Sequence, residues 1–327
     1  MTQTVQGFIL TPMEHRSYMA ARLGIRITPL ALLFLIFTYP LSIAENSGEV
    51  ENRRMEVLEI APHDPTSFTQ GLEIWNGSLI ESSGLYGNSR ISEINLRTGD
   101  VIRNLSIDDS LFAEGITVRN DTMIMLTWKS EIALEINLQD FTIVGNHSYE
   151  GQGWGICYNG EHYVMSNGSS FLTFRDPDSF EISHSVQVTL EGAEVDRLNE
   201  LECVGGTIYA NVWLDQVILA INSSSGHVEF SASAEKLSEE QGTNSNDVLN
   251  GIAYDESEEA FWITGKNWTE IYLVDFHPIG ENITSTASPS GNYIFYILTG
   301  IVAFSISYSI IQRKKDPETP NFKDHHQ

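Results

Sequence analysis

The triplet Gln70-Gly71-Leu72 opens an apolar stretch that leads through a turn into a second apolar stretch. Four further copies of this pattern follow, and they begin 44, 40, 45 and 51 residues after one another. Repeats of about 40–50 residues built from short strands are typical of a β-propeller, in which each repeat forms one four-stranded blade. The later copies are Glu114-Gly115-Ile116, Trp154-Gly155-Ile156, Asn199-Glu200-Leu201 and Asn250-Gly251-Ile252.

Short turn sequences separate the two apolar stretches of each copy. Asn76-Gly77 and Gly205-Gly206 are strong hairpin signals, because both residues of such a turn need a positive φ. A short helix near residues 234–240 is the one helical pattern between residues 55 and 278. The sequence therefore predicts an all-β fold, a five-bladed β-propeller, as a single domain over residues 57–278.

The N-terminal region carries a targeting signal. Residues 29–44 are mostly apolar, and Arg16, Arg22 and Arg26 precede them. This layout predicts a signal peptide within residues 1–44, with an uncleaved signal anchor as the alternative. Residues 45–56 are then expected to form a linker.

The C-terminal region has the features of a membrane anchor. Residues 293–311 carry no charge and would span roughly 28 Å as a helix, close to the thickness of a bilayer core. The basic cluster Arg313-Lys314-Lys315 follows at once, which places residues 312–327 in the cytoplasm. We expect a transmembrane helix after a linker at 279–292, with a buried core helix as the alternative.

The composition is strongly acidic, with 44 Asp and Glu against 18 Lys and Arg and a net charge of −26. This charge argues against nucleic acid as a partner. The signals at both ends place the repeats outside the cytoplasm. We therefore expect a cell-surface protein, anchored in the membrane through its C-terminal helix.

Cys157 and Cys203 are the two cysteines of the chain, and they lie at similar places in neighbouring repeats. An exported protein can form a disulfide, but buried free thiols are the alternative because sequence does not give their separation. Two cysteines without paired histidines do not form a zinc site.

Equivalent positions of the repeats are expected to project from the same end of the central channel. The first set consists of the residue that opens each copy. The second set consists of the residue that lies fourteen positions later, or sixteen positions later in the last copy. The alternative is that the tryptophans fill blade cores and the polar residues are ordinary turn residues. Asn250 is expected to be structural and to close the ring between the last and first repeats. The predicted pocket contains Gln70, Glu114, Trp154, Asn199, Trp128, Trp213 and Lys266.

Ten segments of the repeats occur in the order and spacing of one family. They include Phe112-Ala113-Glu114-Gly115-Ile116-Thr117 and Leu198-Asn199-Glu200-Leu201-Glu202. Over residues 55–276 the chain resembles the glutamine cyclotransferase family, the plant-type glutaminyl-peptide cyclases. The other matching segments are 63–72, 84–87, 127–128, 153–155, 167–170, 211–213, 247–253 and 264–268.

The resemblance implies a five-bladed β-propeller enzyme that converts the N-terminal glutamine of peptides and proteins to pyroglutamate and releases ammonia. It implies an acyltransferase of the aminoacyltransferase class that needs no metal or other cofactor, while a structural metal ion on the propeller axis is left open. Glu114 takes the place of the catalytic carboxylate. Ala113 and Asn167 stand where the family commonly has Gly and Asp. The residues that match the substrate-binding positions are Phe68, Gln70, Trp128, Trp154, Asn199, Trp213 and Lys266.

The sequence is also compatible with two other function classes. One is a catalytically inactive propeller that binds peptide N-termini, and the other is a surface-anchored propeller that binds sugars. Release of ammonia from a peptide would distinguish the enzyme from both.

Overall fold

The computed structural model describes residues 50–241 and 247–279. Within these ranges the chain is almost entirely β-structure, which confirms the all-β prediction, and its one helix, α1 (Glu235–Glu240), lies at the predicted place. The strands are β1 (Glu51–Pro62), β2 (Thr69–Trp75), β3 (Ser78–Ser83), β4 (Arg90–Ile94), β5 (Val101–Ser106), β6 (Ala113–Arg119), β7 (Thr122–Thr127), β8 (Ile132–Asn137), β9 (Thr142–Ser148), β10 (Ile156–Tyr158), β11 (Tyr163–Met165), β12 (Phe171–Arg175), β13 (Ile182–Gln187), β14 (Thr189–Leu190), β15 (Ala193–Glu194), β16 (Leu198–Val204), β17 (Thr207–Val212), β18 (Val217–Asn222), β19 (Val228–Ser233), β20 (Leu249–Asp255), β21 (Ala260–Gly265) and β22 (Glu270–Pro278).

Most strands pair with their neighbours in sequence. Strands β2–β5, β6–β9 and β10–β13 form three four-stranded antiparallel sheets, and β14 pairs with β15. A larger sheet has the order β16-β17-β18-β19-β1-β22-β21-β20. It therefore consists of two four-stranded antiparallel halves joined by the parallel pair β19 and β1.

The N-terminal strand β1 completes the last part of this sheet. It pairs antiparallel with β22, from Arg53 opposite Pro278 to Pro62 opposite Glu270. The prediction that residues 45–56 form a linker is therefore wrong for residues 51–56. The last repeat supplies only three strands before the described chain reaches residue 279, so its fourth strand comes from the N-terminal side. Most of β1 is exposed or half-buried, which is why its sequence lacks the apolar alternation of the other strands.

The predicted hairpin turns are confirmed. Asn76 and Gly77 join β2 to β3 with φ values of 50° and 78°. Asn120 and Gly205 also have positive φ, at 59° and 60°, where β6 turns into β7 and β16 turns into β17. Gly206 does not, so the expectation of positive φ at both turn residues holds for Asn76-Gly77 and is wrong for Gly205-Gly206. Asn and Gly adopt this conformation at low cost, so these turn sequences fix the register of each hairpin.

The first strands of the repeats contact one another in the cyclic order β2, β6, β10, β16, β20 and back to β2. The glycine of the repeated triplet allows this approach. A Cβ on Gly115 would lie 2.7 Å from Gly155 Cα, and one on Gly155 would lie 2.0 Å from the carbonyl oxygen of Asn199. No side chain fits at these distances, so the repeated glycine marks where neighbouring inner strands meet.

The hydrophobic core lies between adjacent sheets. One cluster combines Ile80 and Ile91 of the first sheet with Ile116 and Met125 of the second. Each sheet thus buries one face against the next, as expected when neighbouring sheets share their apolar side chains.

Cys157 of β10 and Cys203 of β16 form a disulfide, which decides between the two alternatives left open by the sequence. The bond joins two inner strands that lie 46 residues apart in sequence. Cross-linking a loop of this length typically stabilises a protein by about 2–4 kcal/mol, chiefly by restricting the unfolded chain.

Replacing both Cys157 and Cys203 by alanine should therefore lower the free energy of unfolding by about 2–4 kcal/mol in urea titrations. Titration of the denatured wild-type protein with a thiol reagent should detect no free thiol before reduction. Two free thiols in that titration would contradict the disulfide.

The predicted signal peptide and the predicted transmembrane helix at 293–311 lie outside the described residues. The helix present in the described part of the chain is too short and too polar to cross a membrane.

Candidate active site

A cavity of about 330 Å³ opens among the inner strands and the loops that join them. The structure brings all eight predicted site residues together around it, although they span almost 200 residues of sequence. Leu85 and Phe112 also line it, and neither was predicted. The lining residues are Phe68, Gln70, Leu85, Phe112, Glu114, Trp128, Trp154, Asn199, Trp213 and Lys266.

The repeats explain why these residues meet. Gln70, Glu114 and Asn199 are each the second residue of the first strand of a hairpin, in β2, β6 and β16. A second set directly follows the second strand of a hairpin, after β7, β17 and β21. Equivalent positions thus reach the same end of the ring. This second set consists of Trp128, Trp213 and Lys266.

Glu114 is the carboxyl group of the cavity and is only 5% exposed. Burial raises its pKa to about 8, and the positive charge of Lys266 partly opposes this rise. Nε2 of Gln70 donates a hydrogen bond to Glu114 Oε1 at 3.3 Å. A carboxyl group with such a pKa can both accept and donate a proton near neutral pH.

Lys266 supplies the positive charge of the cavity. Burial lowers the pKa of its ammonium group to about 8, and Glu114 opposes this decrease. Its Nζ lies 4.7 Å from the centre of the Phe68 ring. Among the described residues no carboxylate lies within ion-pair distance of Nζ, so Glu114 and Lys266 interact across the cavity without a direct contact.

Asn250, the opening residue of the last repeat, lies behind the cavity. Its Nδ2 donates to the carbonyl oxygen of Thr69 at 2.9 Å and lies 3.3 Å from Gln70 Oε1. It therefore joins β20 to β2, as the expected ring-closing role requires. Because Asn250 faces the amide oxygen of Gln70, the amide nitrogen of Gln70 is left to face Glu114.

Aromatic rings form the walls. Phe112 packs against Phe68 and Trp128, with ring centroids 6.3 and 5.5 Å apart. Trp154 packs edge-on against Trp213 at 5.7 Å. These five aromatic rings line the cavity, so the surface around its few polar groups is largely apolar.

Two glycines make room for these rings. A Cβ on Gly84 would lie 2.3 Å from Phe112 Cε1, and one on Gly168 would lie 2.7 Å from the six-membered ring of Trp154. Both glycines occupy the same repeat position as Trp128 and Trp213. Small and large residues thus alternate around the ring, so an aromatic side chain fills each space that a glycine leaves.

Asn199 offers an unused polar group to the cavity. Its backbone oxygen accepts a hydrogen bond from Ser166 Oγ at 2.6 Å, which fixes the strand. Its side-chain amide has no hydrogen-bond partner among the described residues, so both amide atoms are left for a bound molecule.

A buried ion pair supports the loop that carries Phe68 and Gln70. His63 Nδ1 lies 2.7 Å from the carbonyl oxygen of Trp268, and Nε2 lies 3.1 Å from Glu81 Oε1. Both acceptors require a proton on the ring nitrogen that faces them, so His63 is an imidazolium ion. Burial favours neutral His63, but the carboxylate of Glu81 outweighs this effect and raises the pKa of His63. Burial likewise favours neutral Glu81, but the positive charge of His63 outweighs it and lowers the pKa of Glu81.

Backbone hydrogen bonds next to this ion pair connect the loop before β2 to the segment that carries Lys266. The backbone N–H of Asn267 donates to the carbonyl oxygen of Ser67 at 2.8 Å, and that of His63 donates to Thr269 at 2.9 Å. Ser67 and Thr69 also donate their hydroxyl groups to Glu81. The ion pair therefore holds two segments of the cavity wall in one arrangement.

The described residues contain no group of three or more His, Cys, Asp or Glu side chains arranged to hold a metal ion. The polar groups of the cavity are one carboxyl, one ammonium and two amides. This set can exchange protons and donate hydrogen bonds.

Comparison with known proteins identifies relatives that share this architecture. The sequence profile of the family described as Glutamine cyclotransferase matches residues 31–276. The chain is 32% identical to the glutaminyl-peptide cyclotransferase of Arabidopsis thaliana over 295 residues, which cover 86% of this chain and 90% of the relative. The crystal structure of Myxococcus xanthus glutaminyl cyclase superimposes with a TM-score of 0.67 at 31% identity, over 71% of this chain and all of that one. The chain therefore belongs to the glutamine cyclotransferase family.

Proposed function

We propose that this protein is a glutaminyl-peptide cyclotransferase, which converts an N-terminal glutamine to pyroglutamate and releases ammonia. The observation that carries the proposal is the buried Glu114, whose raised pKa suits proton transfer, opposite Lys266 in an aromatic cavity. The names of the two relatives agree with this activity.

Glu114 is proposed to move the proton. The α-amine of the substrate attacks its own side-chain amide carbon, so a C–N bond forms and a five-membered ring closes. The amine loses a proton to Glu114, and Glu114 gives it to the amide nitrogen, whose bond to carbon then breaks to release ammonia. Because both reactants belong to one residue, the protein needs to fold the side chain and transfer protons rather than collect two molecules.

Three polar groups are proposed to bind the substrate carbonyl oxygens. Lys266, Asn199 and Gln70 all reach the cavity, and each carries an N–H donor. Negative charge develops on the amide oxygen when the tetrahedral intermediate forms. A donor that is already in place lowers the energy of that intermediate.

The aromatic walls are proposed to exclude water and to hold the glutamine side chain in its folded form. Trp128, Trp154 and Trp213, together with Phe68, line this cavity of about 330 Å³, which has room for a glutamine residue. Excluding water also strengthens the interaction between the substrate and the charged groups of the site. No step of this mechanism requires a metal ion, and we propose a metal-independent acyl transfer.

The direct test uses the purified full chain and a Gln-Xaa peptide. Turnover should release ammonia and reduce the peptide mass by about 17 Da, the mass of ammonia lost when the ring closes. Binding of the peptide without ammonia release would assign the cavity to a binding module instead. A matched Asn-Xaa peptide, which cannot close a five-membered ring in the same way, serves as the control.

The pH profile offers a second test. We expect kcat/KM, whose pH dependence reports the groups of the free enzyme, to rise as the Glu114 carboxylate forms and to fall as Lys266 loses its proton, with both changes near pH 8. In Lys266→Met the rising part of the profile should move to higher pH, because the lysine charge no longer holds the pKa of Glu114 down. Lys236→Met, at an exposed site, is the control, and the same profile in both variants would exclude the proposed interaction.

We also propose that the domain is a five-bladed propeller and that the protein is anchored at the cell surface. The cyclic contact of β2, β6, β10, β16 and β20 supports a five-bladed propeller, whose fourth and fifth blades share the sheet that β1 joins. The apolar segment at 293–311 and its basic flank support anchoring at the cell surface with the enzyme outside the cytoplasm.

A further inference from the structure

Gln152 joins two tryptophans at the exposed edge of the cavity. Its Oε1 accepts hydrogen bonds from Trp128 Nε1 at 2.8 Å and from Trp154 Nε1 at 3.1 Å. An indole N–H can only donate, so the amide oxygen rather than the amide nitrogen must lie between the two rings. One exposed side chain therefore contacts both aromatic walls.

The two walls are otherwise separate. Phe112 contacts both Phe68 and Trp128, and Trp154 contacts Trp213. Within residues 50–241 and 247–279, no ring-to-ring contact joins the first group to the second. The Gln152 oxygen is thus the side-chain hydrogen-bonding link between the walls, and it lies beside a backbone hydrogen bond from the N–H of Gly153 to the carbonyl oxygen of Trp128 at 3.1 Å.

We propose that Gln152 is a positioning residue that sets the width of the cavity by holding Trp128 and Trp154 at one separation. The inference rests on the proposed function, because the walls matter to the reaction only if a glutamine side chain folds between them. Gln152 itself does not line the cavity, so it acts through the two indole rings. A small change in their separation would lower the fraction of substrate held in the reactive conformation.

The chemistry at position 152 needs an acceptor that can reach both rings. A glutamate has the same length and keeps two acceptor oxygens, whereas leucine has a similar size and none. Asparagine keeps the amide but is one methylene shorter, so it cannot bridge the same two nitrogens. These three substitutions separate loss of the bond from loss of volume or polarity at an exposed site.

The first readout is independent of activity. In the 15N-labelled full chain, the indole N–H signals of Trp128 and Trp154, assigned from the Trp→Phe variants, should move in Gln152→Leu and Gln152→Asn. They should keep their hydrogen-bonded positions in Gln152→Glu. The buried Trp268, which donates to the carbonyl oxygen of Asp247 at 3.0 Å, should not change in any variant.

The second readout is kinetic. Each lost hydrogen bond is worth roughly 5-fold, so kcat/KM should fall roughly 10–30-fold in Gln152→Leu and Gln152→Asn. Gln152→Glu should stay within about 3-fold of the wild type, because both bonds persist. Rescue by glutamate is not expected if the residue serves only to maintain the fold.

Each contrary result has a definite meaning. Unchanged indole signals in both Gln152→Leu and Gln152→Asn would overturn the bridge, and moved signals with unchanged kcat/KM would overturn the positioning role. If the wild type releases no ammonia, the proposed function fails by itself. Binding of a Gln-Xaa peptide, followed by tryptophan fluorescence, then decides the inference, and equal affinity of wild type and Gln152→Asn would exclude it.

Discussion

Replacing Glu114 by glutamine should lower kcat by 10²–10⁴-fold, the usual contribution of general acid–base catalysis. The amide has nearly the same shape and can still accept the hydrogen bond from Gln70, but it cannot carry a proton between two nitrogens. Because the pKa of Glu114 is about 8, most wild-type molecules carry a neutral group here at pH 7. The substitution therefore removes little charge, and the thermal midpoint should change by only a few degrees.

The matched control is Glu200→Gln. Glu200 is also fully buried, burial also raises its pKa, and its Oε1 accepts a hydrogen bond from the backbone N–H of Leu72 at 3.4 Å. It does not line the cavity, so Glu200→Gln should retain activity. Ammonia release measured under single-turnover conditions would separate the chemical step from product release. Full activity in Glu114→Gln would refute the proton-transfer role, whatever the control shows.

Replacing Glu81 by leucine should lower the free energy of unfolding by about 3–5 kcal/mol, because it leaves the imidazolium of His63 buried without its partner. The side chains of His63 and Glu81 are only 2% and 1% exposed, so water cannot replace the lost interaction. Asp64 and Arg90, which also face this pair, contribute a nearby carboxylate and guanidinium. The measurement is urea denaturation, and Asp178→Asn, in an ion pair whose acid is 82% exposed, should cost below about 1 kcal/mol.

The effect should depend on pH in a defined direction. The folded pKa of His63 is raised, so its stabilisation is complete below the ordinary value of 6.5 and disappears as pH rises through the folded pKa. The folded pKa of Glu81 is lowered, so its stabilisation is present above 4.5 and disappears on acidification. The difference between wild type and Glu81→Leu should therefore be largest between pH 4.5 and 6.5. An equal difference at pH 9 would contradict the charged state of the pair.

The five-fold sequence repeat predicted much of this site because the first strands of the repeats contact one another in a ring, so equivalent residues lie at equivalent points of it. Spacing alone selected Glu114, Trp128 and Lys266, and the family resemblance added Phe68. The repeats contain a further signal two positions before the residue that opens each copy. Phe68, Phe112 and Gln152 all lie two residues before the residue that opens their repeat, so extending the comparison by two positions would have identified Phe112 and Gln152.

Other features depend on contacts that a repeat pattern does not encode. The bridge from Gln152 to Trp128 crosses 24 residues of sequence, and the orientation of its amide follows from the two donors that it meets. The strand β1 was missed because its partners, β19 and β22, lie at the far end of the chain and its exposed residues carry no apolar alternation. Similarly, spacing located Cys157 and Cys203 on neighbouring repeats but could not give their separation.

The pairing of β1 with β22 also determines where a membrane anchor on either flank would attach to the domain. Since Arg53 lies opposite Pro278, the described chain enters and leaves the last sheet at neighbouring points. A membrane anchor attached before β1 or after β22 would therefore hold the domain through the same pair of strands. The attachment would then involve the sheet of β1 and β22, and the separate sheet β6–β9, which positions Glu114 and Trp128, would take no direct part in it.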